Sequence, residues 1–148
     1  TTPPVLTLPT ATPQPAALTV DENVYLVDFD NISNSYARAL AGVDALVTSA
    51  SGDPAVFSNP QWITDMNTAI QLLRRAGEDV ARMTPPERFS AAHNSLLTAA
   101  GQYNTAADLL AAGVTNSDTA QFDAAFASIT LADASLAQAS AALGAFRP

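Results

Sequence analysis

The chain has 148 residues, with 14 acidic and 6 basic side chains, a formal net charge of -8, no lysine and no cysteine. The negative charge argues against nucleic acid or an anionic membrane surface as a partner, because phosphate groups repel an acidic chain. The absence of cysteine excludes disulfides, thiolate metal sites and a cysteine nucleophile. Alanine occurs 31 times and favours helix, so the composition predicts an all-α fold.

The beginning of the chain differs in composition from the rest. Residues 1–18 hold five prolines and five threonines and no charged side chain. Repeated proline fixes backbone dihedrals and removes amide donors, so this segment is expected to be an extended spacer. A Thr/Pro spacer before a compact domain is typical of exported bacterial proteins. We therefore expect an extracytoplasmic protein, secreted or membrane-anchored, that meets a membrane only through a tether upstream of residue 1.

Helix boundaries are marked in the remaining sequence. Thr19 and Glu22 have the spacing of a capping box, and Asn59 followed by Pro60 predicts the start of a second helix. Thr84 begins another capping-box pattern, which predicts the third helix. The other predicted boundary residues are Gly113 as the stop of the third helix and Asn116 or Ser117 as the cap of the fourth.

Residues 19–148 are predicted to form one domain, an up-down-up-down antiparallel four-helix bundle. Apolar residues recur every three or four positions in each of the four segments, which gives each helix one buried face. Short connections between long helices force neighbouring helices to run in opposite directions. Alanine at alternate core positions of the third and fourth helices is expected to bring these two helices close together.

No metal or other cofactor is predicted in the bundle. A di-iron site needs Glu-x-x-His pairs, and none of the three glutamates precedes the single histidine by three residues. His93 with Met66 or Met83 would be the ligand pair of a haem. Methionine on a helix face usually fills irregular core gaps, so these residues are interpreted as packing.

His93 is the one side chain whose unperturbed pKa lies near neutral pH, and it is at the edge of the apolar face of the third helix. Counting residue levels from the turns places it near Asp133 of the fourth helix, with Arg74 of the second as the competing neighbour. A His–Asp contact resembles part of a catalytic triad, but no strained serine turn or glycine-rich loop accompanies it. We expect a structural hydrogen bond to Asp133, a raised His93 pKa and no catalytic residue.

The three tyrosines all fall on the apolar helix faces. A buried hydroxyl needs a hydrogen-bond partner, so these rings are candidates to line a polar pocket inside the bundle. Gly77 lies on the buried face of the second helix, where we expect an aromatic ring to pack over it. The candidate binding residues are therefore His93, Asp133, Tyr36 and Tyr103.

The outward face of the fourth helix is neutral. One heptad position is alanine in four successive heptads, and a leucine lies nearby. These residues are Ala120, Ala127, Ala134 and Ala141, with Leu131. Such a face is suited to contact with another protein or with a second copy of the chain. The alternative is that the alanines serve helix propensity alone.

The run from Thr84 to Tyr103 combines a Pro-Pro opening, the aromatic Phe89, the single histidine, a pair of leucines and a small-residue stretch. This order resembles a recurring pattern in uncharacterised bacterial lipoproteins and secreted helical domains. The resemblance covers the third and fourth helices. It implies an exported bundle, with or without a lipid anchor, and supplies no catalytic residue.

The sequence thus favours a non-enzymatic extracytoplasmic bundle, tethered by its Thr/Pro spacer, with a structural or protein-interaction role. One alternative is a small-ligand or haem carrier that uses the bundle interior. Others are a sensor domain of a larger protein and hydrolase-type chemistry at His93.

Overall fold

The computed structural model describes residues 16–147, and within them the chain is helical and has no strand. The predicted all-α class with four long helices is confirmed. The helices are α1 (Val20–Ala50), α2 (Pro60–Arg82), α3 (Ser90–Asn116) and α4 (Thr119–Gly144), with short 3-10 helices at Pro54–Ser58 and Glu87–Phe89. Residues 1–15, which make up most of the predicted spacer, lie outside the described residues. None of the described helices has the length and hydropathy needed to cross a membrane.

The first two helices begin where the sequence predicts. The hydroxyl of Thr19 accepts from the backbone N–H of Glu22 at 3.2 Å, and the Glu22 carboxylate accepts from the Thr19 N–H at 2.8 Å. These two bonds form the predicted capping box. The Asn59 side chain accepts from the N–H groups of Gln61 and Trp62 at the start of α2. Both predicted helix starts are confirmed.

The predicted start of the third helix is wrong. The connection after α2 forms a 3-10 turn at Glu87–Phe89 that lacks a side-chain cap, and α3 begins only at Ser90. The reason is that Thr84 and Pro85 each precede a proline, which disfavours helical backbone at both residues. Each residue of α3 therefore lies at a different level in the bundle than a count from Thr84 predicts.

The turn between α3 and α4 also differs from the prediction. Gly113 does not end α3 but lies inside it, and a Cβ atom there would be 3.1 Å from atoms of the Phe122 ring. Ser117 instead ends the helix in the left-handed conformation, with a φ of 52°. Asp118, rather than Asn116 or Ser117, caps α4, accepting from the backbone two residues ahead. The phenyl ring thus uses the space that the glycine leaves.

The helices α3 and α4 pack against each other more extensively than any other pair. The hydroxyl of Ser128 in α4 donates to the backbone carbonyl of Gln102 in α3 at 2.8 Å, so side chains of one helix reach the backbone of the other. This confirms the close approach predicted from alanine. The fully buried alanines of the two helices are Ala99, Ala106, Ala107, Ala125, Ala132 and Ala139.

Candidate functional site

His93 is bound to a tyrosine of α1. Its Nδ1 atom lies 3.0 Å from the hydroxyl of Tyr25, and the histidine is 7% exposed. Burial raises the pKa of Tyr25 to about 12, so its hydroxyl stays protonated at neutral pH. Phe89 packs on the same tyrosine with a ring-centroid distance of 5.5 Å. This arrangement joins α1 to the beginning of α3.

The predicted hydrogen bond between His93 and Asp133 is wrong. Asp133 accepts a hydrogen bond from Tyr103, and Arg74 pairs with Asp108 at 2.9 Å. The physical reason is the late start of α3, which shifts His93 along the bundle to a level where Tyr25 is its neighbour. The predicted rise of the His93 pKa is also wrong, because burial lowers it.

Tyr36, Tyr103 and Asp133 are brought together at the middle of the bundle. The two tyrosine rings are fully buried and stacked, with centroids 4.2 Å apart. Tyr103 donates to the Asp133 carboxylate at 2.5 Å. Burial first, and then this hydrogen bond, raises the pKa of Tyr103. Three of the four candidate residues therefore form one cluster, and the fourth, His93, bonds a different tyrosine.

The hydroxyl of Tyr36 is buried and has no hydrogen-bond partner among residues 16–147. Its pKa is raised by burial and by the nearby charge of Asp79. A buried polar group without a partner costs about 1 to 3 kcal/mol. The stacked rings pack on each other here and do not face each other across a polar pocket.

Replacing Tyr36 with phenylalanine is expected to raise the free energy of unfolding by about 1 kcal/mol, because it removes the unpaired hydroxyl and keeps the ring. The matched control is Tyr103→Phe, which removes a hydroxyl that is bonded to a carboxylate. That control is expected to lower stability by about 1 to 2 kcal/mol. Urea unfolding of both variants measures the difference, and a loss of stability in Tyr36→Phe would contradict this interpretation.

His93→Gln is expected to flatten the pH dependence of stability just below pH 6.5. Burial lowers the His93 pKa from its ordinary value of 6.5, so folding favours the neutral ring. The stability that this preference contributes is therefore fully present above the pKa of His93 in the unfolded chain. It is lost as the pH falls through the lower pKa of His93 in the folded chain. Urea unfolding at a series of pH values measures this slope. Tyr25→Phe keeps the histidine and should retain the slope, and a wild-type protein that gains stability from His93 in acid would contradict the assignment.

Glu22 is the other buried charged residue of the described chain, and it also joins separate segments. Its side chain is 5% exposed, and Arg88 donates to it at 3.2 Å. The guanidinium of Arg88 also lies 4.8 Å from the centroid of the Phe146 ring near the end of α4. This ion pair therefore holds the start of α1 to the turn before α3.

Gly77 is buried in α2, as predicted, but no aromatic ring packs over it. A Cβ atom at this position would lie 2.8 Å from the side-chain oxygen of Asn104 in α3. The predicted ring packing at Gly77 is therefore wrong, and the space above the glycine is used by an amide.

A cavity that the sequence did not predict lies at the end of the bundle where α1 ends and α4 begins. The cavity has a volume of about 530 Å³. Three serines, a threonine and Asp123 supply its polar atoms, and its apolar lining is Val47, Ala50, Pro54, Phe57, Phe122 and Phe126. The signal in the sequence is the pair Phe122 and Phe126, which share one side of α4, together with a phenylalanine in the preceding connection.

Within residues 16–147, no three histidine, aspartate or glutamate side chains lie close enough together to hold a metal ion. Comparison of the chain with known protein families, with curated proteins and with solved structures gives no match.

Proposed function

We propose that this chain is a non-enzymatic interaction module that binds a second copy of itself through the outer face of α4. The observation that carries the proposal is the exposure and low charge of this face. Leu131 is 59% exposed, and Asp133 is the only charged residue between Asp123 and Arg147. The exposed small residues around the leucine are Ala120, Ala124, Ala127, Ala134 and Ala141.

Charge favours this face for contact between two copies. On the outer face of α4, Asp123 lies between Ala120 and Ala127, and from Ala124 to Ala141 this face is uncharged. Two copies with a net charge of -8 repel each other where their acidic surfaces meet. A contact centred on Leu131 of α4 would bring no carboxylates directly together. The inner alanines of the same helix already pack closely against α3, and the outer alanines would allow the same packing.

A second exposed apolar stripe lies at the start of α1 and consists of Val20, Val24 and Val27, of which Val20 is 78% exposed. Asp21 and Asp28 flank this stripe. Contact between two copies here would bring their carboxylates together. We therefore favour α4 over α1 as the self-association surface.

The buried polar groups support a role without catalysis. His93 bonds Tyr25, the buried hydroxyl of Tyr103 bonds Asp133, and the buried carboxylate of Glu22 is paired with an arginine. Each of these bonds joins two separate segments of the fold, so the groups are used to hold the bundle. A ligand or haem carrier that uses the middle of the bundle is less favoured, because the central tyrosine rings stack on each other.

We propose an up-down-up-down course for the four helices. The connections between them are short, which favours antiparallel neighbours. In that arrangement α1 and α3 run in the same direction. The pairing of Tyr25 with His93 and of Tyr36 with Tyr103 supports this, since both partners advance along their helices together.

We also propose that the module is extracytoplasmic and that residues 1–18 tether it. The composition of this segment and the resemblance carried by residues 84–103 to secreted helical domains support the proposal. The upstream gene sequence tests it. A lipobox cysteine or a signal peptide would support the tether, whereas a transmembrane helix with a kinase-like extension would support a sensor domain.

Sedimentation velocity over a concentration series tests self-association. The wild-type protein is expected to sediment faster as concentration rises, and Leu131→Glu to remain monomeric, because it places a charge at the centre of the contact. Leu72→Glu is the matched control, since Leu72 is an exposed leucine on the charged outer face of α2. A monomeric wild-type protein, or equal loss of association in both variants, would contradict the proposal.

A further inference from the structure

We infer that the cavity between the end of α1 and the beginning of α4 binds a small organic cation, an ammonium group carried on a compact apolar body. The cavity volume of about 530 Å³ is within the range of small-molecule sites. Asp123 borders both this cavity and the outer face of α4, so the two proposals are tested by different substitutions, Asp123→Asn here and Leu131→Glu for self-association.

Aromatic rings form the walls of the cavity. Phe57 and Phe122 are stacked, with ring centroids 5.7 Å apart and an interplanar angle of 23°, so each ring covers one face of the other, and the partly exposed Phe126 supplies a third ring. The face of an aromatic ring carries negative partial charge and attracts a cation placed over it. The cationic group would therefore lie over the Phe126 ring, with Pro54 and Val47 beside its apolar body.

The electrostatics of this end of the bundle also select a cation. Asp123 is the only charged residue that lines the cavity. The helices α1 and α3 both end here, and neither has a basic residue in its last turn to offset the negative end of the helix dipole. The N-terminus of α4 is already capped by the carboxylate of Asp118. The start of α2, capped by the neutral side chain of Asn59, is also at this end, so the carboxylate of Asp123 is the feature that disfavours an anionic ligand.

Two local features build the cavity wall and its rim. Gly113 allows the Phe122 ring to pack against α3, since a Cβ atom there would lie 3.1 Å from the ring. Ser117, on the rim, adopts a positive φ of 52°, a conformation that residues other than glycine rarely take. The chain thus keeps an unfavourable backbone conformation where it turns beside the cavity.

The experiment uses choline as the cationic probe and dimethylbutanol, its neutral carbon analogue, at constant ionic strength. Trp62 is the single tryptophan of the chain. Its ring lies 5.3 Å from that of Phe57 and 6.3 Å from that of Phe122, so its fluorescence reports on the cavity. Saturation-transfer NMR of each probe gives a second readout that does not depend on fluorescence.

Choline is expected to bind roughly 10-fold more tightly than the neutral analogue. Asp123→Asn should remove most of this preference and leave binding of dimethylbutanol unchanged. Asp65→Asn, on the exposed face of α2, is the matched control for net charge and should bind choline as the wild-type protein does. Equal affinity for the two probes, no saturable binding of choline in either readout, or equal effects of the two substitutions would overturn the inference.

Discussion

Replacing Tyr103 with alanine is expected to lower the free energy of unfolding by about 4 kcal/mol, the usual cost of removing a large aromatic side chain from a core. Tyr103 is fully buried and stacks on Tyr36 with a centroid distance of 4.2 Å. Its loss leaves a void at the middle of the bundle, next to a ring that then packs on nothing. Urea unfolding measures the effect as a shift of the transition midpoint.

The control for this prediction is the phenylalanine variant at the same position. Tyr103→Phe keeps the ring and loses only the hydrogen bond to Asp133, so it should cost about 1 to 2 kcal/mol. If the alanine and phenylalanine variants are equally destabilised, the ring packing is not a main source of stability and the description of the core is wrong.

Replacing Ala132 with leucine is expected to destabilise the bundle by about 3 kcal/mol, at the upper end of the usual cost of overpacking. Ala132 is fully buried and lies on α4 between Ser128 and Ser135, whose side chains reach Gln102 of α3. A leucine here must push the two helices apart and break these hydrogen bonds. The unfolding midpoint and the near-ultraviolet circular dichroism spectrum measure the change.

Ala137→Leu is the matched control, because Ala137 is exposed on the same helix and is not among the residues of the proposed self-association face. This variant adds the same atoms to the same helix and should change stability by less than about 0.5 kcal/mol. If both leucine variants are equally tolerated, α3 and α4 are not as close as the structure indicates.

Much of the fold was predictable because it depends on local signals. The apolar periodicity of each segment lies within one helix, and the caps at Thr19 and Asn59 act over two or three residues. The alanines of the third and fourth helices also predicted the close pair, since small side chains permit a short distance between helix axes.

The partner of His93 was not predictable in the same way. It depends on the level of α3 relative to the other helices, and that level depends on where α3 begins. The predicted start was Thr84, but the proline pair delays the helix to Ser90. The histidine therefore contacts Tyr25 and not Asp133. An error in the predicted start of one helix therefore led to a wrong prediction of a contact between helices.

The cavity was missed for a related reason. Its lining comes from α1, the following connection and α4, and no single segment of the sequence carries a recognisable motif for it. It also depends on Gly113 lying inside α3 under the Phe122 ring, whereas the sequence marks this glycine as a helix stop. Contacts of this kind follow from tertiary packing.

The proposal that α4 mediates self-association is tested most directly by oxidative crosslinking of single-cysteine variants, since the natural chain has no cysteine to interfere. A disulfide forms only where two Cα atoms come within about 7 Å of each other. Cysteines placed one at a time along the exposed positions from Ala120 to Ala141 are compared with Thr68→Cys, on the exposed face of α2. The proposal predicts covalent dimers at α4 positions that recur with helical spacing, and no dimer at position 68. Equal crosslinking on α2 and α4, or none at any α4 position, would contradict it.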